Sequence, residues 1–295
     1  MNLAIIADIH GNRHALEAVL RDIATQNIDQ LIVAGDVVNR GPTNAEVMAR
    51  VSAEADVILL GNHDALVTKW VGRDSEIPAA WFSDPFWRFT DWTAQQLAAA
   101  GQLDALRELE FSYRIAIDGL PSVLITHGSP RHFREGYGRY LNDEQLAEIV
   151  EEYPADLYVG AHTHRTMVRA WGHHAFLNVG AVGAPFNRDQ RAQYLLLSGR
   201  DGDWHHEFRA VDYDVDAALA DYEQTGYLDQ VGVSADIFFK EIQYARPLYA
   251  PFWMWSEKEG IPKSAASWQA WQQGEGADFF EPPEPAHGPP RPDIL

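Results

Sequence analysis

Apolar runs alternate with amphipathic segments over the first third of the chain. The runs NLAIIA, LIVA and DVILL are each followed by a short segment rich in Asp, Asn and His. Between them, apolar residues recur at the i, i+3, i+4 and i+7 spacing of amphipathic helices: Leu16, Val19, Leu20 and Ile23 in one segment, and Val47, Met48 and Val51 in the next. The order strand, helix, strand, helix, strand predicts parallel pairing with right-handed crossovers.

A second set of strands is predicted further along the chain, in SVLIT, DLYVG, AFLNVG, QYLLLS and DWHHEFRAV. The last run alternates apolar and polar residues, which is typical of a half-exposed antiparallel strand. A helix is expected between the first two runs, with Asn142 as its N-cap and Leu146, Ile149 and Val150 facing inward. Together these elements predict an α/β fold, a four-layer αββα sandwich in which two mixed β-sheets are flanked by helices.

Two regions stand outside this predicted core. Residues 70–110, with the aromatic stretch WFSDPFWRFTDW, are an expected insertion within the core domain, which spans residues 1–212. The rings of the insertion could stack on a nucleobase, but packing onto the core is the favoured interpretation. Residues 213–275 are expected to form a helical, aromatic extension packed on the core. Residues 276–295 form a Pro-rich, acidic tail that we expect to be extended or disordered, without a specific role.

Composition narrows the function further. The 295 residues include no cysteine, so disulfides and thiolate ligands are excluded, and the formal net charge is −20. This charge disfavours broad nucleic-acid binding but allows a small anionic substrate at a locally positive site. No apolar run is long enough for a membrane span, and the segment MNLAIIADIHGN lacks the basic region of a secretory signal, so we expect a cytoplasmic protein that does not bind membranes. The sequence leaves the oligomeric state open.

Side chains of metal-ligand type follow five of the predicted strands. They are Asp8, His10, Asp36, Asn62, His63, His127, His162 and His164. Because ligands bind beyond the carboxyl ends of strands in open α/β sheets, these residues can converge. Oxygen and imidazole donors suit first-row divalent metals, and the set is too large for one tetrahedral ion. It suits two ions that share a bridging carboxylate, for which Asp36 is the candidate.

A structural interpretation competes at each of these positions. A single Asp or Asn after a strand usually forms a turn, but donors at five strand ends together favour a functional site. The pairs His173–His174 and His205–His206 are not expected to bind metal, because neighbours in a strand point to opposite faces. His14, His132 and His287 are expected to be surface or core histidines.

The ordered motifs resemble the calcineurin-like metallophosphoesterase superfamily, and in particular its small bacterial YfcE-like group. These motifs are Asp8-x-His10, Gly35-Asp36, Gly61-Asn62-His63-Asp64, His127-Gly128 and Gly160-Ala161-His162-Thr163-His164. The resemblance implies one metal held by Asp8, His10, Asp36 and His164, and a second held by Asp36, Asn62, His127 and His162. It also implies that His63 protonates the leaving oxygen, that Asp64 orients the His63 ring, and that Arg40 contacts the phosphate. The chain departs from the family pattern at Asn39, Ala161 and Arg165-Thr166, and none of these changes removes a metal donor.

The sequence alone does not decide which other residues contact the substrate. Asn12 lies within the first motif, and Arg131, Arg134 and Arg165 follow later ones, so each could bind a substrate anion or lie on the solvated surface.

The sequence predicts a dinuclear-metal phosphoesterase that hydrolyses a phosphomonoester or phosphodiester of a small molecule or nucleotide, by in-line attack of a metal-bridging hydroxide. Manganese is the expected metal, with Fe, Ni, Zn or Mg as alternatives. The alternative functions on the same centre are a nuclease, a cyclic-nucleotide phosphodiesterase or a protein phosphatase. A non-catalytic scaffold of the same fold, or a metal or nucleotide sensor, would keep the fold without turnover.

Overall fold

The computed structural model describes residues 1–295. Its strands are β1 (Asn2–Ile6), β2 (Gln30–Val33), β3 (Val57–Ile58), β4 (Ser112–Ile115), β5 (Val123–Thr126), β6 (Leu157–Gly160), β7 (Thr166–Trp171), β8 (His174–Val179), β9 (Ala192–Arg200), β10 (Asp203–Val211) and β11 (Asp293–Ile294). Its α-helices are α1 (Arg13–Ile23), α2 (Asn44–Glu54), α3 (Asn62–Val71), α4 (Arg88–Ala99), α5 (Leu103–Arg107), α6 (Asp143–Glu152), α7 (Val215–Gln224), α8 (Tyr227–Val231), α9 (Val233–Tyr244), α10 (Tyr249–Glu259) and α11 (Ala265–Gln273). Short 3-10 helices cover Ala79–Phe82, Pro85–Trp87 and Ala277–Phe280. None of the helices combines the length and apolarity needed to cross a bilayer.

The strands form two mixed sheets. The first has the order β10-β9-β1-β2-β3, with β1, β2 and β3 parallel and β9 and β10 antiparallel. The second has the order β11-β7-β8-β6-β5-β4, in which β5, β6 and β8 are parallel to one another. In this sheet β4 is antiparallel to β5, β7 is antiparallel to β8, and β11 is parallel to β7. The carboxyl ends of the parallel strands carry the donor motifs, so the topology determines where the site lies.

Three apolar layers hold these elements together. Alternate side chains of β1 and β2, such as Ile5 and Ile32, pack against Ile125 and Val159 of the second sheet. The opposite face of the first sheet packs on α1 and α2, and the outer face of the second sheet packs on α6. The predicted four-layer αββα sandwich is therefore confirmed.

Local sequence signals account for several element boundaries. The α1 helix buries the predicted stripe of Leu16, Val19, Leu20 and Ile23. The Asn142 side chain accepts a hydrogen bond from the Gln145 N–H at 2.9 Å, which caps α6 as predicted. The run DVILL forms a shorter strand than expected.

The aromatic insertion and the C-terminal extension share one apolar cluster. Phe86, Trp87 and Phe89 of the insertion pack against residues of α9 and α10 such as Phe238 and Phe252. The insertion rings are packed, as the favoured interpretation expects, but their partners belong to the extension and not to the sheets. The insertion and the extension are far apart in the sequence, so the local pattern of apolar and polar residues does not predict this contact.

The tail is extended but it is not free. Its last strand, β11, pairs in parallel with β7, and the Asp293 carboxylate lies 3.0 Å from the Arg165 Nε. The tail is thus extended, as one of the two expected alternatives, and its end is paired with the second sheet. The sequence does not predict this pairing, because a two-residue pairing and an ion pair leave no hydrophobic pattern.

Candidate metal centre

The seven predicted metal donors lie together at the carboxyl ends of the parallel strands. Asp8 and His10 follow β1, Asp36 follows β2, Asn62 opens α3 after β3, His127 follows β5, and His162 and His164 follow β6. Their ligand atoms fall into groups such as Asp8–His10–His164 and Asp36–His127–His162, each with all atoms within 4.8 Å of one another. Two sheets thus contribute donors to one edge of the sandwich.

The loops that carry these donors adopt backbone conformations that L-residues rarely use. Positive φ angles occur at Asp8 (52°), His10 (49°), Asp36 (52°), His162 (67°) and His164 (56°). A non-glycine residue in this region costs roughly 1–3 kcal/mol, and such strain concentrates at functional sites. Hydrogen bonds from the Asp8 N–H to the Gly35 carbonyl at 3.1 Å and from the His10 N–H to the Asp36 carbonyl at 3.1 Å hold the first two loops together.

Two glycines allow the second and third loops to approach closely. Gly35 has a φ of +85°, which favours glycine, and a Cβ on Gly61 would lie 2.1 Å from the Asp36 N. The motifs Gly35-Asp36 and Gly61-Asn62 therefore need glycine so that Asp36 and Asn62 can share one site.

The first group of donors surrounds an unpartnered carboxylate oxygen. Asp8 Oδ1 is buried without a hydrogen-bond partner and lies 3.4 Å from His164 Nε2 and 3.9 Å from His10 Nε2. His10 Nε2 and His164 Nε2 are 3.2 Å apart. Ligands that each lie about 2.0–2.2 Å from a metal are separated by about 3–4 Å, so these atoms fit one divalent ion.

The second group forms around the other imidazoles. His127 Nε2 lies 3.1 Å from Asn62 Oδ1 and 3.3 Å from Asp36 Oδ2, and His162 completes the group. Asp36 Oδ2 also lies 3.6 Å from His10 Nε2, so this oxygen faces both groups. The donors present fit two divalent ions with Asp36 between them.

Hydrogen bonds on the far side of two rings orient their donor nitrogens. His127 Nδ1 donates to the Ala34 carbonyl at 2.9 Å, and His164 Nδ1 donates to the Ala184 carbonyl at 2.6 Å. Because a carbonyl only accepts, these contacts place a proton on Nδ1, so Nε2 is the ring nitrogen that faces the other donors and could bind a metal.

Burial and neighbouring charges set the protonation states of the donor side chains. Burial lowers the pKa of His63 to about 3 and that of His162 to about 4, so both rings are neutral at pH 7. Burial also opposes the charged form of His127, but the Asp36 carboxylate outweighs it and raises the pKa of His127 to about 9. His127 thus carries a proton at neutral pH that a bound metal would displace.

His63 lies beside the donors but its ring has a different partner from the one expected. Its ring centroid is 5.0 Å from that of His10, and the Asn39 amide is 3.2 Å from its Nδ1. Asp64 accepts hydrogen bonds from the backbone N–H groups of Asp36 at 2.8 Å, Val38 at 3.1 Å and Gly61 at 2.9 Å. The prediction that Asp64 orients the His63 ring is therefore wrong, because both of its oxygens are used to join two loops.

Arg40 lies close to the centre, and its guanidinium has partners within the protein. Its guanidinium pairs with Glu241 of α9 and lies over the rings of Phe186 and Phe238, at 5.5 and 4.8 Å from their centroids. The Tyr227 hydroxyl donates to the Arg40 carbonyl at 2.8 Å. Glu241 is a residue that the sequence did not indicate, since it comes from the extension two hundred positions later.

The other predicted substrate contacts have structural partners. Asn12 caps α1, accepting from the Ala15 N–H at 3.1 Å and donating to the Gly183 carbonyl at 3.0 Å, so it acts as a capping residue rather than a substrate ligand. Arg131 pairs with Glu135 and Glu148 and does not line the cleft next to His162, which corrects its assignment.

Arg165 lies beside the centre, although a carboxylate from the tail holds it. It lines the cleft next to His162, where its guanidinium contacts Asp293 and donates to the Phe186 carbonyl at 2.9 Å.

An αββα sandwich with an Asp- and His-rich edge defines a metal-binding protein of the phosphoesterase type. The sequence profile of the calcineurin-like phosphoesterases matches residues 1–166, and the chain belongs to this family.

One protein and two solved structures are similar to most of this chain. An uncharacterized protein of Methanocaldococcus jannaschii is 26% identical over 235 residues, which cover 73% of this chain and 89% of that protein. A metallophosphoesterase structure from Sphaerobacter thermophilus superposes with a TM-score of 0.60 at 27% identity, covering 81% of this chain and all of that one (100%). A hypothetical protein of Pyrococcus horikoshii has a TM-score of 0.63 at 20% identity, covering 80% and 97% of the two chains, and shows the shared fold.

A more limited similarity connects the chain to symmetrical bis(5'-nucleosyl)-tetraphosphatases. The protein of that name from Baumannia cicadellinicola is 30% identical over 131 residues, which are 43% of this chain and 42% of that protein. The matched region spans less than half of either protein.

Proposed function

We propose that the protein is a phosphoesterase that uses two divalent metal ions to hydrolyse a phosphate ester of a small molecule or nucleotide. The observation that carries this proposal is the position of Asp36 Oδ2, 3.6 Å from His10 Nε2 and 3.3 Å from His127 Nε2. One carboxylate oxygen between two groups of donors is what a bridging ligand requires. The family match supports the reaction class.

Manganese is the proposed native metal, with Fe, Ni, Zn or Mg as alternatives. The donors are carboxylate and amide oxygens with imidazoles, and the chain has no cysteine to select softer ions. Bound divalent ions would supply Lewis-acid stabilisation of the phosphate and a water molecule of lowered pKa as the nucleophile.

His63 is proposed to act on the leaving oxygen. If the Asn39 amide donates to Nδ1, the proton of the neutral ring lies on Nε2, where it can hydrogen-bond to a leaving oxygen. A substrate phosphate beside the ring would raise its pKa from the low value that burial imposes, toward the range that a general acid needs.

The overall charge favours a small substrate. The net charge of −20 repels an extended polyanion, whereas two metal ions would make the centre locally positive. A cytoplasmic location remains a prediction from sequence.

The test uses metal-analysed protein loaded with manganese. We expect hydrolysis of p-nitrophenyl phosphate or bis(p-nitrophenyl) phosphate, and the ratio of the two rates separates a monoesterase from a diesterase. If the protein with Mn, Fe or Ni hydrolyses neither ester nor any nucleotide, the phosphoesterase proposal fails and the scaffold alternative replaces it.

A further inference from the structure

A cleft of roughly 770 Å³ opens next to His162, on the side of the metal centre that faces the extension. One wall is the segment 134–141 after β5, and the opposite wall comes from residues 247–254 at the start of α10. A leaving group attached to a phosphate at the metal centre would enter this cleft because His162, one of the predicted metal donors, lines it.

We infer that this cleft is the leaving-group subsite and that it selects a nucleotide that carries a second phosphate group. This inference rests on the proposed phosphoesterase function and adds the class of substrate to it.

Exposed apolar side chains line both walls of the cleft. Tyr140 is 98% exposed on one wall and Met254 is 72% exposed on the other, and Phe186 also lines the space. A single exposed apolar residue needs no explanation, but two large ones facing one cleft leave a surface that an aromatic ring can cover. A tyrosine ring stacks on a nucleobase, and the flexible thioether of Met254 can adapt to one.

Arginines supply the charge that a second phosphate needs. Arg134, Arg139 and Arg165 all line the cleft. Arg134 has no carboxylate partner, so its guanidinium is available to an anion. Glu135 and Asp293 line the same cleft, but Glu135 is paired with Arg131, which does not line it. In a chain with a net charge of −20, the three arginines therefore favour an anionic ligand.

A carboxylate of the chain itself occupies part of this cationic site. Asp293 of β11 lies 3.0 Å from Arg165 and 3.5 Å from Arg139. The pair with Arg139 is exposed, with the two side chains 68% and 21% accessible, and exposed ion pairs are weak. A phosphate dianion makes stronger charge-assisted hydrogen bonds to a guanidinium, so it can displace Asp293.

The test compares two nucleotides that differ by one phosphate. With manganese-loaded full-length protein, kcat/KM is measured for adenosine 3',5'-bisphosphate and for adenosine 5'-monophosphate. We expect a preference for the bisphosphate of about tenfold, and Arg134→Ala should remove most of it. Arg21→Ala is the matched control, since Arg21 is exposed on α1 and does not line the cleft.

Substitution of the tail carboxylate should have the opposite effect. Asp293→Asn leaves Arg165 and Arg139 without their competitor, so the preference for the bisphosphate should rise about threefold or more. A role of Asp293 limited to fastening the tail would leave the preference unchanged or lower it, and that result would overturn the inference.

Binding to metal-free protein separates this inference from the proposed function. Calorimetric titration with adenosine 3',5'-bisphosphate should give a Kd about tenfold weaker for Arg134→Ala than for the Arg21→Ala control. If p-nitrophenyl phosphate is hydrolysed but neither the preference nor the Kd responds to Arg134, the subsite is refuted and the phosphoesterase stands. If no ester is hydrolysed, the Kd values alone decide the subsite.

Discussion

Asp36 connects the parts of the centre through both of its carboxylate oxygens. Oδ1 accepts the His63 N–H at 2.7 Å, and Oδ2 faces the two groups of metal donors. Burial disfavours the ionised form of Asp36, but the charge of His127 and its hydrogen bond to the carboxylate outweigh burial and hold the pKa of Asp36 well below its usual value, so the carboxylate is ionised. Asp36 therefore places a negative charge between the two groups of donors.

Replacing that charge should disable the site. Asp36→Asn keeps an oxygen for the His63 N–H but removes the negative charge between the donors, so we expect metal affinity to fall by at least about 100-fold and turnover to be lost. Metal content by plasma mass spectrometry and hydrolysis of p-nitrophenyl phosphate measure the two effects. Asp118→Asn, at an exposed position, is the control that should change neither. Full metal content in Asp36→Asn would contradict the bridging role.

Metal binding should release protons at neutral pH. His127 has a pKa raised to about 9, so its ring is charged at pH 7 and must lose a proton before Nε2 can bind a metal. Apparent manganese affinity should therefore rise between pH 7 and pH 9. Calorimetry in buffers of different ionisation enthalpy should give at least one proton released per protein at pH 7, and none released would exclude His127 as a ligand.

His63 should affect turnover without affecting metal content. His63→Ala removes a ring that Asn39 holds beside the donors, and the metal groups retain their other ligands. We expect kcat to fall by about 100-fold or more with both metals retained. Loss of one metal from this variant would show that His63 is a ligand instead.

The residue types of the centre were predictable, but the partners of some residues were not. Seven donors could be recognised because carboxylate, amide and imidazole groups follow apolar strands whose ends must meet. Asp64 was misassigned because the choice between a ring and three backbone N–H groups depends on loop geometry. Asn39 could have been suspected, since it stands where one branch of the family has an aspartate.

At the scale of elements, the C-terminal extension reaches the metal centre through one buried ion pair. Glu241 of α9 binds the Arg40 guanidinium and accepts the N–H groups of Leu248 and Tyr249, each at 2.8 Å. The extension thus fixes a cation beside the donors. The order of strands and helices in the sandwich was predictable from periodicity, whereas this long-range contact and the pairing of β11 with β7 were not.

Breaking that buried ion pair should lower the stability more than a substitution at the surface. Glu241→Ala leaves Arg40 buried without a counter-ion and frees two backbone N–H groups, so we expect unfolding free energy to fall by about 3–5 kcal/mol. Urea denaturation followed by tryptophan fluorescence measures it. Glu223→Ala, at an exposed position on α7, should change stability by less than about 0.5 kcal/mol. Equal effects of the two substitutions would show that the pair contributes nothing to the attachment of α9.

At the scale of the whole molecule, an acidic protein surrounds the candidate metal centre. Two sheets, a shared aromatic cluster and the extension place the donors, Arg40 and the cleft arginines on one side of a chain whose net charge is −20. The sandwich supplies the geometry, and the charge limits which ligands can approach.

The most direct test of the dinuclear centre is anomalous diffraction from crystals soaked in manganese. We predict two strong peaks about 3.5–4 Å apart, on either side of Asp36, one near His10 and His164 and the other near His127 and His162. A single peak, or no peak among these side chains, would contradict the proposed centre.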